Sequence, residues 1–345
     1  MRDLRLPPLA NSFVVQAARL FYQCFSSSGN DVSSPSLASP PRPVVDNDIP
    51  YERYSDAVEQ LRPLFPPNCI SFGADEVEVV GDIPLGAGGY ANIWVATLCG
   101  RSVIRKSYRR YENDDVESIF QRYCREVTVC SQLSHPNIVP FVGFVITSNH
   151  SFSLIFDTAG HLGLREYLEM HPQADKMDLV RGIACGLKHV HDLDVIHGRL
   201  CSQNVLVGPD GIPRIAGFGS SLMMSRPDLG SDEDVVGFHR GSAPELMRPP
   251  KPGKPVTRIT KESDMYAFGM LTWEIFSGKD PFRGDLDATV VVRVLKGDRP
   301  PHPKNCNGLS RQVWNMVKVC WSDSPSRRMT VGEVLNLLDA ACRPS

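Results

Sequence analysis

Leu85-Gly86-Ala87-Gly88-Gly89-Tyr90-Ala91-Asn92-Ile93 is a glycine-rich turn whose backbone N–H groups can approach a phosphate without side-chain interference. It lies between two β-rich runs, not between a strand and a helix, which argues against a dinucleotide fold and for a flap over phosphates. Alone it discriminates poorly, because a tight hairpin needs glycine for positive φ whatever it binds. The order of the motifs downstream is the stronger signal. Val103-Ile104-Arg105-Lys106 falls on a strand, Glu126 on a helix ahead of His135-Pro136-Asn137-Ile138-Val139, and His197-Gly198-Arg199-Leu200 precedes Asn204. Then come Gly217-Phe218-Gly219, Ala243-Pro244-Glu245, Asp264 in Ser263-Asp264-Met265-Tyr266-Ala267-Phe268-Gly269, and Pro325 with Arg328 after Cys320-Trp321.

The elements that must position these residues change texture along the chain. From about residue 76 the pattern predicts short strands at Val77–Ile83, Ala91–Leu98, Ser102–Lys106, Ile138–Ile146 and Ser153–Phe156, interrupted by one helix over Val116–Leu133. After Gly160 it predicts helices over Leu164–Met170, Met177–His191, Ser263–Ser277, Ala288–Lys296, Gln312–Cys320 and Val331–Ala341, with short strands at Val205–Val207 and Pro213–Ile215. A β-sheet part with one helix followed by a larger helical part is an α+β arrangement, with a cleft expected where the texture changes.

Composition bounds what such a fold can do. With 345 residues, 42% hydrophobic and 22% charged, the chain has enough apolar material for a sizeable core. The net charge of −2 provides no global field for nucleic acid, so no nucleic-acid partner is expected. The ten cysteines form no CxxC pair and no regular spacing, which fits neither a zinc site nor a secreted disulfide framework. No run is long and apolar enough to span a bilayer, and the N-terminus carries no secretory signal, so a cytoplasmic or nuclear protein is expected. Residues 1–25 hold Val14, Val15, Ala18, Phe21, Cys24 and Phe25 at helical spacing: a short amphipathic helix that packs on the main domain or docks on a partner. Arg2, Arg5 and Arg19 are too few, and interrupted by Asp3, for a mitochondrial presequence. Residues 26–50 are Ser/Pro-rich and read as a disordered linker, and 51–75 as a segment preceding the domain, with one more helix over Tyr54–Leu64.

The series of motifs over residues 76–342 resembles the eukaryotic protein kinase superfamily, most closely its tyrosine-kinase-like branch. The resemblance implies a bilobal fold, with a small lobe over about 76–157 and a large lobe over about 161–342. It implies that Lys106 pairs with Glu126 and holds nucleotide phosphates, and that Gly86, Gly88, Ile93 and Asn204 are further nucleotide-binding candidates. His197 and Phe218 match positions that link the lobes. Glu245 and Arg328 would form a buried ion pair, and Asp264 would anchor the loop around Arg199.

Phosphoryl transfer in that family needs one carboxylate to accept the substrate hydroxyl proton, and a second carboxylate with an asparagine to hold Mg²⁺. Arg199 stands at the first position and Gly217 at the second. A guanidinium stays protonated in proteins and cannot act as base, and Gly217 has no ligand to offer. Asn204 is left as the single family metal ligand, and Cys201 replaces a lysine that many members carry. Asp210 sits in the turn Gly208-Pro209-Asp210-Gly211, and Asp228, Asp232, Glu233 and Asp234 lie in the activation segment, so none is a convincing substitute.

Relative to the family pattern the site gains three positive charges, two at Arg199 and one at Gly217. Ile104 stands where a small residue normally roofs the adenine, and Phe156 falls at the rear of the pocket, so both add bulk. ATP is therefore expected at low affinity at best, and Mg²⁺ is not expected. Gly198 replaces an arginine that commonly pairs with a phosphorylated activation segment, which leaves Ser220, Ser221, Ser225 and Ser231 without their usual acceptor. The basic, proline-rich stretch Arg248–Pro255, with Arg258 and Lys261, reads as a solvated loop or a docking surface for an acidic partner. Two functions stand as alternatives: a pseudokinase acting as scaffold or allosteric partner of other proteins, or a weak or unconventional ATP-dependent protein kinase.

Overall fold

The computed structural model describes residues 69–87, 91–109, 116–146, 152–158, 160–224, 238–248, 258–304 and 308–341. The helix expected over 14–25, the linker 26–50, the helix expected over 54–64, Gly88, the activation-segment residues 225–237 and the stretch 249–257 lie outside them. The chain divides into two compact units, the first containing residues up to Gln132 and 140–159, the second containing 133–139 and everything from Gly160 onward.

The first unit is a seven-stranded sheet of β1 (Ile70–Phe72), β2 (Val77–Val79), β3 (Gly86–Ala87), β4 (Ala91–Leu98), β5 (Arg101–Tyr108), β6 (Phe141–Ile146) and β7 (Phe152–Phe156). The strand order is β1-β6-β7-β5-β4-β2, with β3 paired to β4. β4 and β5 are joined by the tight turn Cys99-Gly100, and their register sets Ile93 opposite Lys106 and Val95 opposite Ile104. Helix α1 (Val116–Gln132) packs on β6 and β7. Buried Val77, Ala96, Leu98, Val103, Val145 and Ile155 form one core cluster of this unit.

β1 lies ahead of residue 76, where the motif pattern opens the domain, and it pairs in parallel with β6, Ile70 opposite Gly143. Gly143 is required there: a Cβ would stand 2.2 Å from the Ile70 carbonyl oxygen. β2 is shorter than the expected Val77–Ile83, and β6 begins at Phe141 and not at Ile138, because Pro140 has no N–H for a ladder. Ile138 instead bridges to Ile215 within the second unit.

The second unit holds α2 (Leu164–Met170), α3 (Lys176–Asp192), α4 (Pro244–Met247), α5 (Lys261–Ser277), α6 (Asp287–Leu295), α7 (Arg311–Cys320) and α8 (Val331–Ala341). Its short strands are β8 (Leu162–Gly163), β9 (Val195–Ile196), β10 (Val205–Val207), β11 (Pro213–Ile215) and β12 (Leu222–Met223), in two small sheets, β11-β10-β8 and β12-β9. α5 is the axis of the unit, buried at every position from Ser263 to Phe276. Such a helix needs no polar face, and its sequence shows none. Thr260 and Ser263 close a reciprocal capping box at its start, and Gly278, in the left-handed conformation at φ 66°, ends it. No described helix is long and apolar enough to cross a membrane.

Candidate functional site

In the first unit, alternation along β5 puts Ile104, Lys106 and Tyr108 on one face of the sheet. Lys106 Nζ donates to both carboxylate oxygens of Glu126 on α1, at 2.6 and 2.7 Å. Glu126 is only 1% exposed, so its charge is held by partners and not by water. A third residue completes that arrangement: the Tyr108 hydroxyl donates a short hydrogen bond to Glu126 Oε2, and its ring lies 5.5 Å below Lys106 Nζ. Burial, then the adjacent Glu126 charge, push the Tyr108 phenol well above its usual range, so it acts as donor. Tyr123 packs edge-on against Tyr108 and tilted against Phe152, which fixes the phenol's position. Tyr108 was not singled out from the sequence; its spacing of two from Lys106 on a strand was the available signal.

Gly86 pairs with Ile93 across the β3–β4 hairpin, and Leu85 N–H donates to the Ile93 carbonyl at 2.8 Å. Ile104 stands directly opposite Phe156 in the β5–β7 register, both half-buried, so the two bulky residues share one spot on the sheet.

In the second unit, Asp264 of α5 is a buried hub. Its Oδ2 accepts from His191 Nε2 at 2.9 Å and from the His197 N–H at 2.8 Å, and its Oδ1 accepts from the Gly198 N–H at 2.8 Å. These bonds hold the loop His197–Asn204 from beneath. Gly198, at φ 78°, admits no side chain: a Cβ would meet Ile259 at 2.6 Å and the Ser220 carbonyl at 2.7 Å. His197 donates from Nε2 to the Ala216 carbonyl at 2.9 Å, accepts the Arg199 N–H at Nδ1, and stacks edge-on with Phe218 at 5.0 Å between ring centroids.

Arg328, whose side chain is fully buried, grips Glu245 of α4 through two hydrogen bonds of 2.6 and 2.7 Å and also donates to the carbonyls of Glu262 and Ser322. The pair, buried at Arg328 and partly exposed at Glu245, ties α4 to the start of α5.

Asn204 and Gly217 meet. Asn204 Nδ2 donates to the Arg199 carbonyl at 2.8 Å, and the Ala216 N–H donates to the Asn204 carbonyl at 2.8 Å. Gly217 is left-handed, φ 81° and ψ 42°, and a Cβ there would lie 2.3 Å from Asn204 Oδ1. The Arg199 side chain is exposed and makes no hydrogen bond or ion pair among the described residues. Burial pushes the nearby Cys201 thiol up, so it stays protonated. Asp210 is committed elsewhere, to Arg214 at 2.6 and 3.0 Å. The structure thus gathers Lys106, Glu126, Ile93 and Gly86 in the first unit, and Arg199, Asn204, Gly217, His197, Phe218 and Asp264 in the second.

The family described as protein tyrosine and serine/threonine kinase matches residues 81–338, which covers strands β3 to β7, the Lys106–Glu126 pair, the loop on Asp264 and the Glu245–Arg328 pair. The chain belongs to this family. A serine/threonine/tyrosine-protein kinase of Arabidopsis thaliana is 27% identical over 261 residues, 73% of this chain and 64% of the relative. A dual specificity protein kinase of Dictyostelium discoideum is 28% identical over 297 residues, 84% of this chain and 20% of the relative. A tyrosine-protein kinase of Drosophila melanogaster is 27% identical over 213 residues, 60% of this chain and 26% of the relative. The chain thus spans between a fifth and just under two thirds of these kinases' own lengths.

A kinase of this family uses Mg²⁺ held by a carboxylate and an asparagine. The residues present do not fit that ion. Position 217 has no carboxylate, the Asn204 amide rests where a side chain at 217 would emerge, and no group of three or more His, Cys, Asp or Glu that could hold a metal occurs among the described residues.

Proposed function

We propose that this protein-kinase-fold chain does not carry out normal phosphotransfer and acts as a scaffold or allosteric signalling partner of other proteins. The observation that carries the reading is the pairing of Arg199 with a closed Asn204–Gly217 contact. The base position holds a permanent cation, and the metal position is a left-handed glycine with a neighbouring amide already against it. Loss of one acid weakens one term; loss of both removes proton acceptance and metal-assisted charge stabilisation together. The framework is intact beside this, since Lys106–Glu126, the Asp264 hub and Glu245–Arg328 are all formed. Such a chain keeps the surfaces of a kinase while lacking the groups that turn a bound hydroxyl into a nucleophile. ATP binds weakly at best in this reading, and the working location is the cytoplasm.

The test is incorporation of labelled phosphate from ATP, with Mg²⁺ or Mn²⁺, into the chain itself and into generic protein substrates. The expected result is no incorporation above a Lys106→Ala control. Incorporation that disappears in Lys106→Ala would overturn the reading and establish a kinase working without either acid.

A further inference from the structure

Beneath the exposed side chain of Arg199, wholly within the second unit, lies a cavity of about 520 Å³, within the roughly 300–1,000 Å³ range of small-ligand sites. Its wall carries four arginines, 165, 199, 240 and 283, against three carboxylates, Glu274, Asp280 and Asp287. The carboxylates are already engaged. Arg165 donates from Nε to Glu274 at 2.7 Å and makes a further short ion pair with Asp280. Arg240 donates to Asp287 at 2.9 Å and to the carbonyls of Phe282 and Asp285, each at 2.7 Å.

Two guanidiniums are left over. Arg199 and Arg283 are both exposed, and neither side chain has a hydrogen-bond or ion-pair partner among the described residues. Each nonetheless exerts its charge on the cavity wall, Arg199 on His239 and Cys201, Arg283 on Asp280. His239 adds a donor: its Nδ1 accepts the Gly241 N–H at 3.1 Å, which leaves Nε2 to carry the ring proton. Phe238 supplies an aromatic surface on the same wall.

We propose that this cavity is a recognition site for a phosphorylated side chain of a partner polypeptide, with Arg199 and Arg283 as the two cations that hold the phosphate. A phosphomonoester carries about −1.5 to −2 charge at neutral pH and three acceptor oxygens, which matches two guanidiniums without partners among the described residues; a carboxylate brings a single charge. Arginine is suited to this by its planar fork of donors. The inference rests on reading position 199 as a binding and not a catalytic residue, and it assigns that side chain a role: the product class of the missing reaction becomes the ligand.

The test is equilibrium titration of the full chain, without nucleotide, with N-acetyl-O-phosphotyrosine amide and N-acetyl-O-phosphoserine amide. Inorganic phosphate, sulfate and the two unphosphorylated amides serve as controls. Saturable binding of at least one phosphorylated amide is expected, reduced at least tenfold in Arg199→Gln and in Arg283→Gln and unchanged in Arg101→Gln, an exposed arginine of the first unit. Arg199 and Arg283 are exposed and have no hydrogen-bond or ion-pair partner among the described residues, so their variants keep the wild-type melting temperature. Absence of saturation by either phosphorylated amide, equal binding of inorganic phosphate, or binding indifferent to Arg199→Gln and Arg283→Gln would each overturn the proposal. The labelled-phosphate assay is independent of this titration: phosphate incorporation would sink the non-transfer reading whatever the amides do, and failed titration would leave it standing.

Discussion

Placing a side chain at 217 tests the closed contact that separates this chain from the metal-binding pattern of its family. Gly217→Ala puts a Cβ on a left-handed residue, which costs about 1–2 kcal/mol for a non-glycine residue. That Cβ lies 2.3 Å from Asn204 Oδ1, so the amide must move and its 2.8 Å bond to the Arg199 carbonyl is lost, adding about 1 kcal/mol. The sum is about 2–3 kcal/mol, or a fall in Tm of about 5–10 °C for a unit of this size. The two parts separate in a double-mutant cycle measured by urea unfolding. In an Asn204→Ala background the amide is gone and only the conformational part should remain, so Gly217→Ala should cost about 1 kcal/mol less there. A Gly217→Ala variant within about 0.5 kcal/mol of wild type, or an equal cost in both backgrounds, would show that the contact is not as tight as described. The same reasoning makes Gly217→Asp a poor reversion: it should destabilise the chain and restore no phosphotransfer, even when combined with Arg199→Asp.

Three further outcomes are expected. Tyr108→Phe removes a donor to the buried Glu126 carboxylate and should cost about 1.5–3 kcal/mol by urea unfolding, the range for a hydrogen bond to a charged group; a neutral result would mean that Lys106 alone satisfies Glu126. Burial, then the Arg199 charge, lower His239 to about 4, so the unfolded chain takes up this proton first and stability falls as pH drops from about 6.5 to 4; His239→Asn should flatten that slope by about 2 kcal/mol, and an imidazole titrating near 6.5 by NMR would contradict it. Ile104→Ala, which clears the spot shared with Phe156, should increase the thermal stabilisation produced by ATP, and that stabilisation should be insensitive to EDTA; a shift that requires Mg²⁺ would point to a carboxylate ligand outside the described residues.

Helices with a clear period and apolar strands bounded by turn residues were legible from the sequence. β4, β10, β11, α2 and α8 fall on their expected residues, and α5 differs only by starting two residues earlier, at Lys261. What escaped is what periodicity cannot encode. β1 is three residues long and finds its partner some seventy residues away, and β9 with β12 is a two-residue pairing. Ile138 reads as strand by composition, yet Pro140 separates it from β6. For the site, the residue types at 106, 126, 199, 204 and 217 were visible, whereas the contact of Asn204 with Gly217 depends on a backbone torsion that no neighbouring residue announces. The cavity was invisible for a different reason: its arginines come from α2, the loop at 199 and the segments before α4 and α6, which only tertiary folding brings together.

The Asp264 hub has a bearing on how much change the loop at 197–204 tolerates. Its shape is held by backbone N–H groups bonded to a carboxylate on a neighbouring helix, by a glycine with no room for a Cβ, and by the His197 ring, while the side chain at 199 makes no hydrogen bond or ion pair among the described residues. Shape and chemistry are therefore stored at different addresses. Position 199 behaves as a socket on a rigid mount, into which an acid, an amide or a cation fits without rebuilding the mount. Under the proposed binding role, exchanging the plug is all that turns the loop from breaking a bond to gripping its product, with the bonds of the mount unchanged.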